Sequence, residues 1–234
     1  MTALHLKALP VAVLAIALGA CSTKQVALQD PTIPQPLIDQ LPLVVAARYP
    51  EQFEHFVHEE QVIGKKKWTI DMGRANSMLF TQLFDSMFTD FSVLGHDEDP
   101  SNRKFDALIE PSIDAFEFSV PSQSQTDAFA VWIRYRIKIF DQDGNQIANW
   151  PIAAYGKSLD LGFGGDNEAL QRAAVLAMRD AAALIILQMD KATGISALSE
   201  ARRSLARSPE TAEGSAAGEV IRTTSSEGDR DDSG

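Results

Sequence analysis

Cysteine occurs once in the 234 residues, at Cys21. A single thiol excludes an internal disulfide framework and any zinc site built on several thiolates. Histidine is scarce too: beyond His5 there are only His55, His58 and His96 to serve as imidazole bases or ligands. No apolar run reaches the roughly 20 residues that a membrane-spanning helix needs. Positive charge is in deficit, with 21 Lys and Arg against 32 Asp and Glu and a formal net charge of -11. That balance argues against an electrostatic grip on nucleic acid or on anionic lipid. No Gly-x-Ser-x-Gly elbow, His-Glu-x-x-His pair or internal repeat is present, so the familiar hydrolase signatures and repeat architectures drop out.

What the N-terminus does contain is specific. One lysine, Lys7, precedes an apolar stretch from Ala8 to Leu18, which then gives way to Leu18-Gly19-Ala20-Cys21. The stretch has the length of a secretory signal and is too short for a span. Leu18, Gly19, Ala20 and Cys21 resemble the lipobox, in which small residues admit the chain to the lipoprotein peptidase and the cysteine sulfur receives a diacylglycerol. The unpaired Cys21 fits, because an exported protein normally uses cysteines in pairs. Residues 1–20 are therefore expected to be a cleaved signal peptide, with the lipid on Cys21 as the membrane anchor. Several acyl chains hold a protein stably where one does so only marginally. Ser22 in place of aspartate after the cysteine implies, in the terms of that resemblance, sorting to the outer membrane, with the domain facing the periplasm.

Residues 21–42 include Pro31, Pro34, Pro36 and Pro42, with few large apolar residues, and read as an extended tether holding the folded part off the bilayer. Residues 199–234 have no aromatic residue and are rich in Ser, Gly, Glu, Asp and Arg, which reads as a disordered acidic tail. Between them, residues 43–198 have the size of one domain. Strands are expected at Leu43 to Tyr49, Lys67 to Met72, Phe91 to Leu94 and Phe105 to Val120, the last broken or bulged at Pro111, where the alternation changes phase. Ala75, Met78, Leu79, Leu83, Phe84, Met87 and Phe88 recur at helical steps across Arg74 to Phe88. Phe129 to Phe140 alternates strictly, with Trp132, Arg134, Arg136 and Lys138 on the wet side. Asp143-Gly144 suits a two-residue hairpin turn, which would set Ile137 opposite Trp150, Tyr135 opposite Ile152 and Ile139 opposite Ala148. A second helix, Asn167 to Asp190, is capped by Asp166 and stopped by Gly194, and its alanine-rich face allows close approach to a sheet. The fold class is α+β, a mainly antiparallel sheet with two helices packed on one face.

Candidate chemistry is thin. If residues 53–60 were helical, His55, His58 and Glu59 would share a face that could hold a divalent metal. The alternative is a solvated loop or strand end with Phe53, Phe56 and Val57 packed inward. Gly156-Lys157-Ser158 lacks the glycine five positions earlier that a phosphate-binding loop needs, Pro151 standing there instead. The run Gly162 to Gly165 precedes a helix N-terminus, but Asp166 would repel a phosphate. Trp132, Arg134, Arg136 and Lys138 form a stripe that could meet an acidic partner, or be no more than the wet side of a hairpin.

With the lipobox, the proline-bearing segment, the helix around Met78 to Phe88, Asp106-Ala107-Leu108-Ile109-Glu110-Pro111-Ser112-Ile113, and the strand Val131 to Phe140 followed by Asp143-Gly144-Asn145-Gln146-Ile147, the chain resembles the small outer-membrane lipoproteins typified by YajG and the auxiliary lipoproteins of ABC-type transport systems. That resemblance implies a non-enzymatic envelope accessory that binds other proteins or lipid-handling machinery, without a cofactor. The readings that follow are such an accessory with a protein partner, a metal-binding protein or hydrolase using His55, His58 and Glu59, or a secretion-pore subunit whose strands enter the outer membrane.

Overall fold

The computed structural model describes residues 23–28, 31, 38–62, 66–124, 126–159 and 165–207. The expected signal peptide, Leu18, Gly19, Ala20, Cys21, most of the Gly162 to Gly165 run and residues 208–234 lie outside them.

Among the described residues eight strands form two sheets. β2 (Leu41–Ala47), β5 (Phe88–Val93), β6 (Ala107–Ser119), β7 (Ala128–Phe140) and β8 (Gln146–Leu159) make one, in the order β5-β2-β6-β7-β8. β1 (Thr23–Ala27), β3 (Val57–Val62) and β4 (Lys66–Asp71) make the other, in the order β1-β4-β3. Five helices are present among the described residues: α1 (Glu51–Glu54), α2 (Gly73–Met87), α3 (Pro121–Ser124), α4 (Gly165–Met189) and α5 (Thr193–Arg207).

The class is α+β, but the sheets are mixed and not mainly antiparallel. β2 runs parallel to both β5 and β6, and β1 parallel to β4. The chain leaves β2, builds β3, β4 and α2, and returns as β5, a long crossover of the kind that parallel pairing needs. Only β6, β7 and β8 form the expected antiparallel meander.

Strict alternation in β7 buries Phe129, Val131, Ile133, Tyr135, Ile137 and Ile139 on one face. On that face lie α2 and α4, together with the small sheet. Trp68 of β4 sits edge-on to Phe118 and Phe129, at centroid distances of 5.9 and 6.5 Å. α4 lies on β8 and β7 through Ala173, Ala174, Ala177 and Ala181, all fully buried. The alanine-rich face thus gives the close approach expected of it, and Gly156 of β8 completes the fit. A Cβ added there would stand 2.0 Å from the Ala173 carbonyl oxygen and 2.4 Å from the Ala177 nitrogen.

The hairpin register is as expected, with Ile137 opposite Trp150, Tyr135 opposite Ile152 and Ile139 opposite Ala148. The turn is not the two-residue one. The Asp141 carboxylate accepts the backbone N–H groups of Asp143 and Asn145, at 3.0 and 2.8 Å. Gly144, at φ +80°, donates its own N–H to the Asp141 carbonyl. This side-chain cage favours a longer loop, and a register shift between Ile139 and Phe140 absorbs the difference. In β6 the irregularity falls between Ile113 and Ala115 rather than at Pro111. It resets the alternation so that Phe116 and Phe118 face the core.

Three further expectations need correction. The segment read as a tether contains β1, because Thr23 to Ala27 pairs with β4 along its whole length; the folded part begins two residues after Cys21. The segment read as a tail is helical to Arg207, with Ser199 buried and Arg202 paired to Asp106 at 2.8 Å. Asp106 also accepts the Val44 N–H, so this helix is tied to the start of β6 and to β2. Finally, Gly194 does not stop a helix but lies within α5, where a Cβ would press on Ile147.

Candidate functional site

The second face of the large sheet is the place where the fold leaves side chains uncommitted. Over β2 and the start of β6 it is closed by a small satellite core of Ala46, Leu94, Phe105 and Leu108, contributed in part by the long β5–β6 connection. Phe140 at the end of β7 packs on that core, whereas farther along the face Trp132, Arg134, Ala153, Tyr155, Lys157 and Leu159 are exposed. Trp132 is 44% exposed and Tyr155, its partner across the ladder, 43%. Their rings meet at 5.2 Å. Such a pair keeps large apolar area in water without loss of rotamer order, which is a feature of recognition surfaces.

Beside the pair, Arg134 stands between Ala115 and Ala153 in the ladder. Small residues on both sides leave a depression of about 240 Å³ whose walls include Ala115, Glu117, Trp132, Arg134 and Ala153. No ion pair or hydrogen bond holds the Arg134 guanidinium among the described residues. Lys157 and Leu159 continue the face along β8, Leu159 at 54% exposure.

The stripe expected at Trp132, Arg134, Arg136 and Lys138 is therefore one face, but its members differ. Arg136 is engaged: its Nε donates to Asp114 at 3.1 Å and its Nη1 to Asn149 at 3.1 Å. The hydrogen bond to Asp114 holds the guanidinium pKa above its usual value, burial acting in the other direction. The bulge in β6 is what places Asp114 within reach. Lys138 faces Glu110 across the ladder, and Glu110 is itself bound by Arg48. Trp132 and Arg134 remain presented to solvent. Tyr155 escaped the sequence reading, although the hairpin register carried seven residues back from Ile139 to Trp132 would have set it there.

His55, His58 and Glu59 do not converge. The segment is not a helix from residue 53 to 60: α1 ends at Glu54 and β3 starts at Val57. His55 is exposed as the C-cap of α1. Along β3, His58 turns in against Phe116 at a centroid distance of 4.9 Å, with Nε2 3.1 Å from Glu60. Glu59 turns out to pair with Lys67 at 2.8 Å, a hydrogen bond that lowers its carboxyl pKa. Alternation sends neighbouring strand residues to opposite faces, so the helical grouping is lost. Of the apolar residues expected inward, Phe53 is buried and Phe56 half-buried, but Val57 is exposed. Among the described residues no three His, Cys, Asp or Glu side chains group as a metal site would require. Gly156-Lys157-Ser158 lies within β8 and not before a helix as a phosphate-binding loop would.

No protein-family model and no curated protein matches the chain. Solved structures similar to it include a Xanthomonas campestris protein of the DUF330 family, with 12% identity and a TM-score of 0.46 over 79% of this chain and 99% of that one. Another is a hypothetical protein from Chlamydia trachomatis, with 9% identity and a TM-score of 0.40 over 66% and 98%. A third is lipoprotein GNA1162 from Neisseria meningitidis, with 9% identity and a TM-score of 0.29 over 63% and 99%. These likenesses assign no function. Among the described residues no helix is long and apolar enough to cross a membrane.

Proposed function

We propose that this protein is a lipid-anchored accessory of the bacterial cell envelope, facing the periplasm, which binds a protein partner through the open face of β7 and β8 and carries out no chemistry of its own. The observation that supports it most is the exposed Trp132–Tyr155 pair with the unpaired Arg134 beside it, on a sheet face that is closed over β2 and the start of β6. Aromatic and arginine side chains are the residues that carry binding energy at interfaces. The surface suits a partner segment with an acidic group for Arg134 and an apolar or aromatic group for the depression. Leu18-Gly19-Ala20-Cys21 supports the anchor, and Ser22 the outer membrane as its destination. A transport complex is the setting that the resemblance to auxiliary lipoproteins implies.

Capture of the full-length protein from detergent-solubilised membranes tests this reading. The native chain is expected to recover a stable partner, and a Trp132→Ala, Arg134→Glu variant to lose it with an unchanged unfolding midpoint. Recovery of the lipoprotein alone, or equal recovery by both, contradicts the proposal.

A further inference from the structure

An open sheet leaves an edge strand on each side, with a row of backbone N–H and C=O groups turned outward, and such a row pairs with further chain unless something blocks it. Among the edge strands β8, β1, β3 and β5, three carry a block. At β8 the outward row contains Pro151, which has no N–H, and Tyr155, whose N–H is donated to Asp180. At β1 the Gln25 carbonyl accepts from the Asn167 side chain of α4 at 3.0 Å. β3 carries the adjacent carboxylates Glu59 and Glu60. β5 has a single charge, Asp90. Its outward row follows from its pairing: Leu94 donates its N–H to the Ala47 carbonyl at 2.8 Å, and β5 follows β2 residue by residue from Asp90 to Val93. The backbone groups of Asp90 and Ser92 therefore point to β2, and those of Thr89, Phe91 and Val93 point away from it. No backbone hydrogen bond joins that second set to another strand among the described residues. Thr89 and Val93 are exposed, Val93 at 40%.

What fits this edge is a second β5. Antiparallel pairing about a two-fold axis must set outward residues opposite outward residues, and Asp90 separates the registers that do so. An axis through Asp90 places the two carboxylates directly opposite each other, which is destabilising. An axis through Ser92 leaves Thr89 and Asp90 beyond the end of the opposing strand, and one through Thr89 sets Phe91 against the end of α2. An axis through Phe91 uses the strand from Thr89 to Val93 and gives Asp90 a neutral neighbour. We propose that the protein forms a two-fold dimer through β5, with Phe91 opposite Phe91 of the partner subunit. Thr89 then faces the partner's Val93, and Asp90 faces the partner subunit's Ser92, whose hydroxyl donates to the carboxylate. Aromatic and β-branched pairs of this kind are the favourable ones across strands. β8 lies at the other end of the order β5-β2-β6-β7-β8. The joined sheet therefore leaves a β7–β8 face at each end, and one assembly presents two copies of that surface.

Cysteine cross-linking of the full-length protein in its membrane tests the pairing. Asp90 and the partner's Ser92 form a non-hydrogen-bonded pair, in which Cα atoms stand about 4.5 Å apart, within the roughly 4.4–6.8 Å that a disulfide spans. Copies carrying Asp90→Cys and copies carrying Ser92→Cys are expressed together, oxidised and resolved on a non-reducing gel. The mixture is expected to give a dimer band severalfold stronger than either variant alone or the native chain, because a single variant sets its two cysteines diagonally, about 7–8 Å apart. A band of equal strength from one variant alone, a band that joins the chain to a different protein, or no band overturns the proposal. A second measurement needs no cysteine: the mass of the detergent-extracted protein by light scattering. The native chain is expected to be a dimer, and Ser92→Asp, which sets Asp90 opposite a second carboxylate, a monomer with an unchanged unfolding midpoint. A monomeric native chain, or a dimer that survives Ser92→Asp, equally overturns it.

Discussion

Tyr135 shows how much one side chain can specify. It is fully buried on the core face of β7, and its hydroxyl donates to Asn76 Oδ1 of α2 at 2.8 Å. Asn76 is equally buried, and its Nδ2 has no hydrogen-bond partner among the described residues. The pair fixes α2 against the sheet at one rotation, because an unmade buried hydrogen bond costs more than a made one contributes. Tyr135→Phe leaves the whole Asn76 amide unpaired and is expected to lower stability by about 1–3 kcal/mol, read as the midpoint of urea unfolding. Burial also pushes the Tyr135 phenol far above its usual pKa. Tyr49 is raised likewise, chiefly by burial, with the Thr81 hydrogen bond acting against it and the Glu54 charge with it. The folded state therefore holds these protons more tightly than the unfolded chain does. Their contribution is present in full below the ordinary tyrosine pKa of about 10 and is lost as pH rises beyond it. The unfolding midpoint is expected to decline above about pH 10, and less steeply in a Tyr49→Phe, Tyr135→Phe double variant.

At the scale of elements, what could be read in advance was whatever had a strong period. β7 alternates over its whole length, and the apolar partners on β8 leave one register in which both strands bury the same face. The alanines of α4 announced a close helix–sheet contact, and Gly156 is where that contact is tightest. Gly156→Ala places a methyl against helix backbone that cannot rotate away. A loss of at least the roughly 1–3 kcal/mol typical of overpacked cores is expected, again from the urea midpoint. The elements that went unread have weak patterns. β3 turns His58 and Glu60 inward and Val57 outward, the reverse of the usual polarity, because the His58 ring finds Phe116 and Phe118. β1 is five residues with a single buried side chain, Val26, and takes its order from β4. In α5 the polar Ser199 to Arg207 stretch is held by its link to Asp106 rather than by apolar periodicity. β8, an edge strand, has Pro151 without a donor and the Tyr155 N–H taken by Asp180 at 3.0 Å. Both blunt strand-to-strand pairing there and leave the face, more than the edge, as the surface to bind with.

For the whole molecule, the candidate site was legible as a stripe but not as a selection among its members. Sequence periodicity puts Trp132, Arg134, Arg136 and Lys138 on one side. Only the bulge that delivers Asp114 to Arg136, and the Arg48–Glu110 pair beside Lys138, show that Trp132 and Arg134 stay uncommitted. The grouping of His55, His58 and Glu59 needed a helix where the chain builds a strand. The most direct test of the binding surface is photo-crosslinking in intact cells, with a photoreactive amino acid at position 132 or, on the exposed outer side of α4, at position 187. A discrete crosslinked partner from position 132 and none from position 187 is the predicted result; no partner from 132, or the same partner from 187, contradicts it.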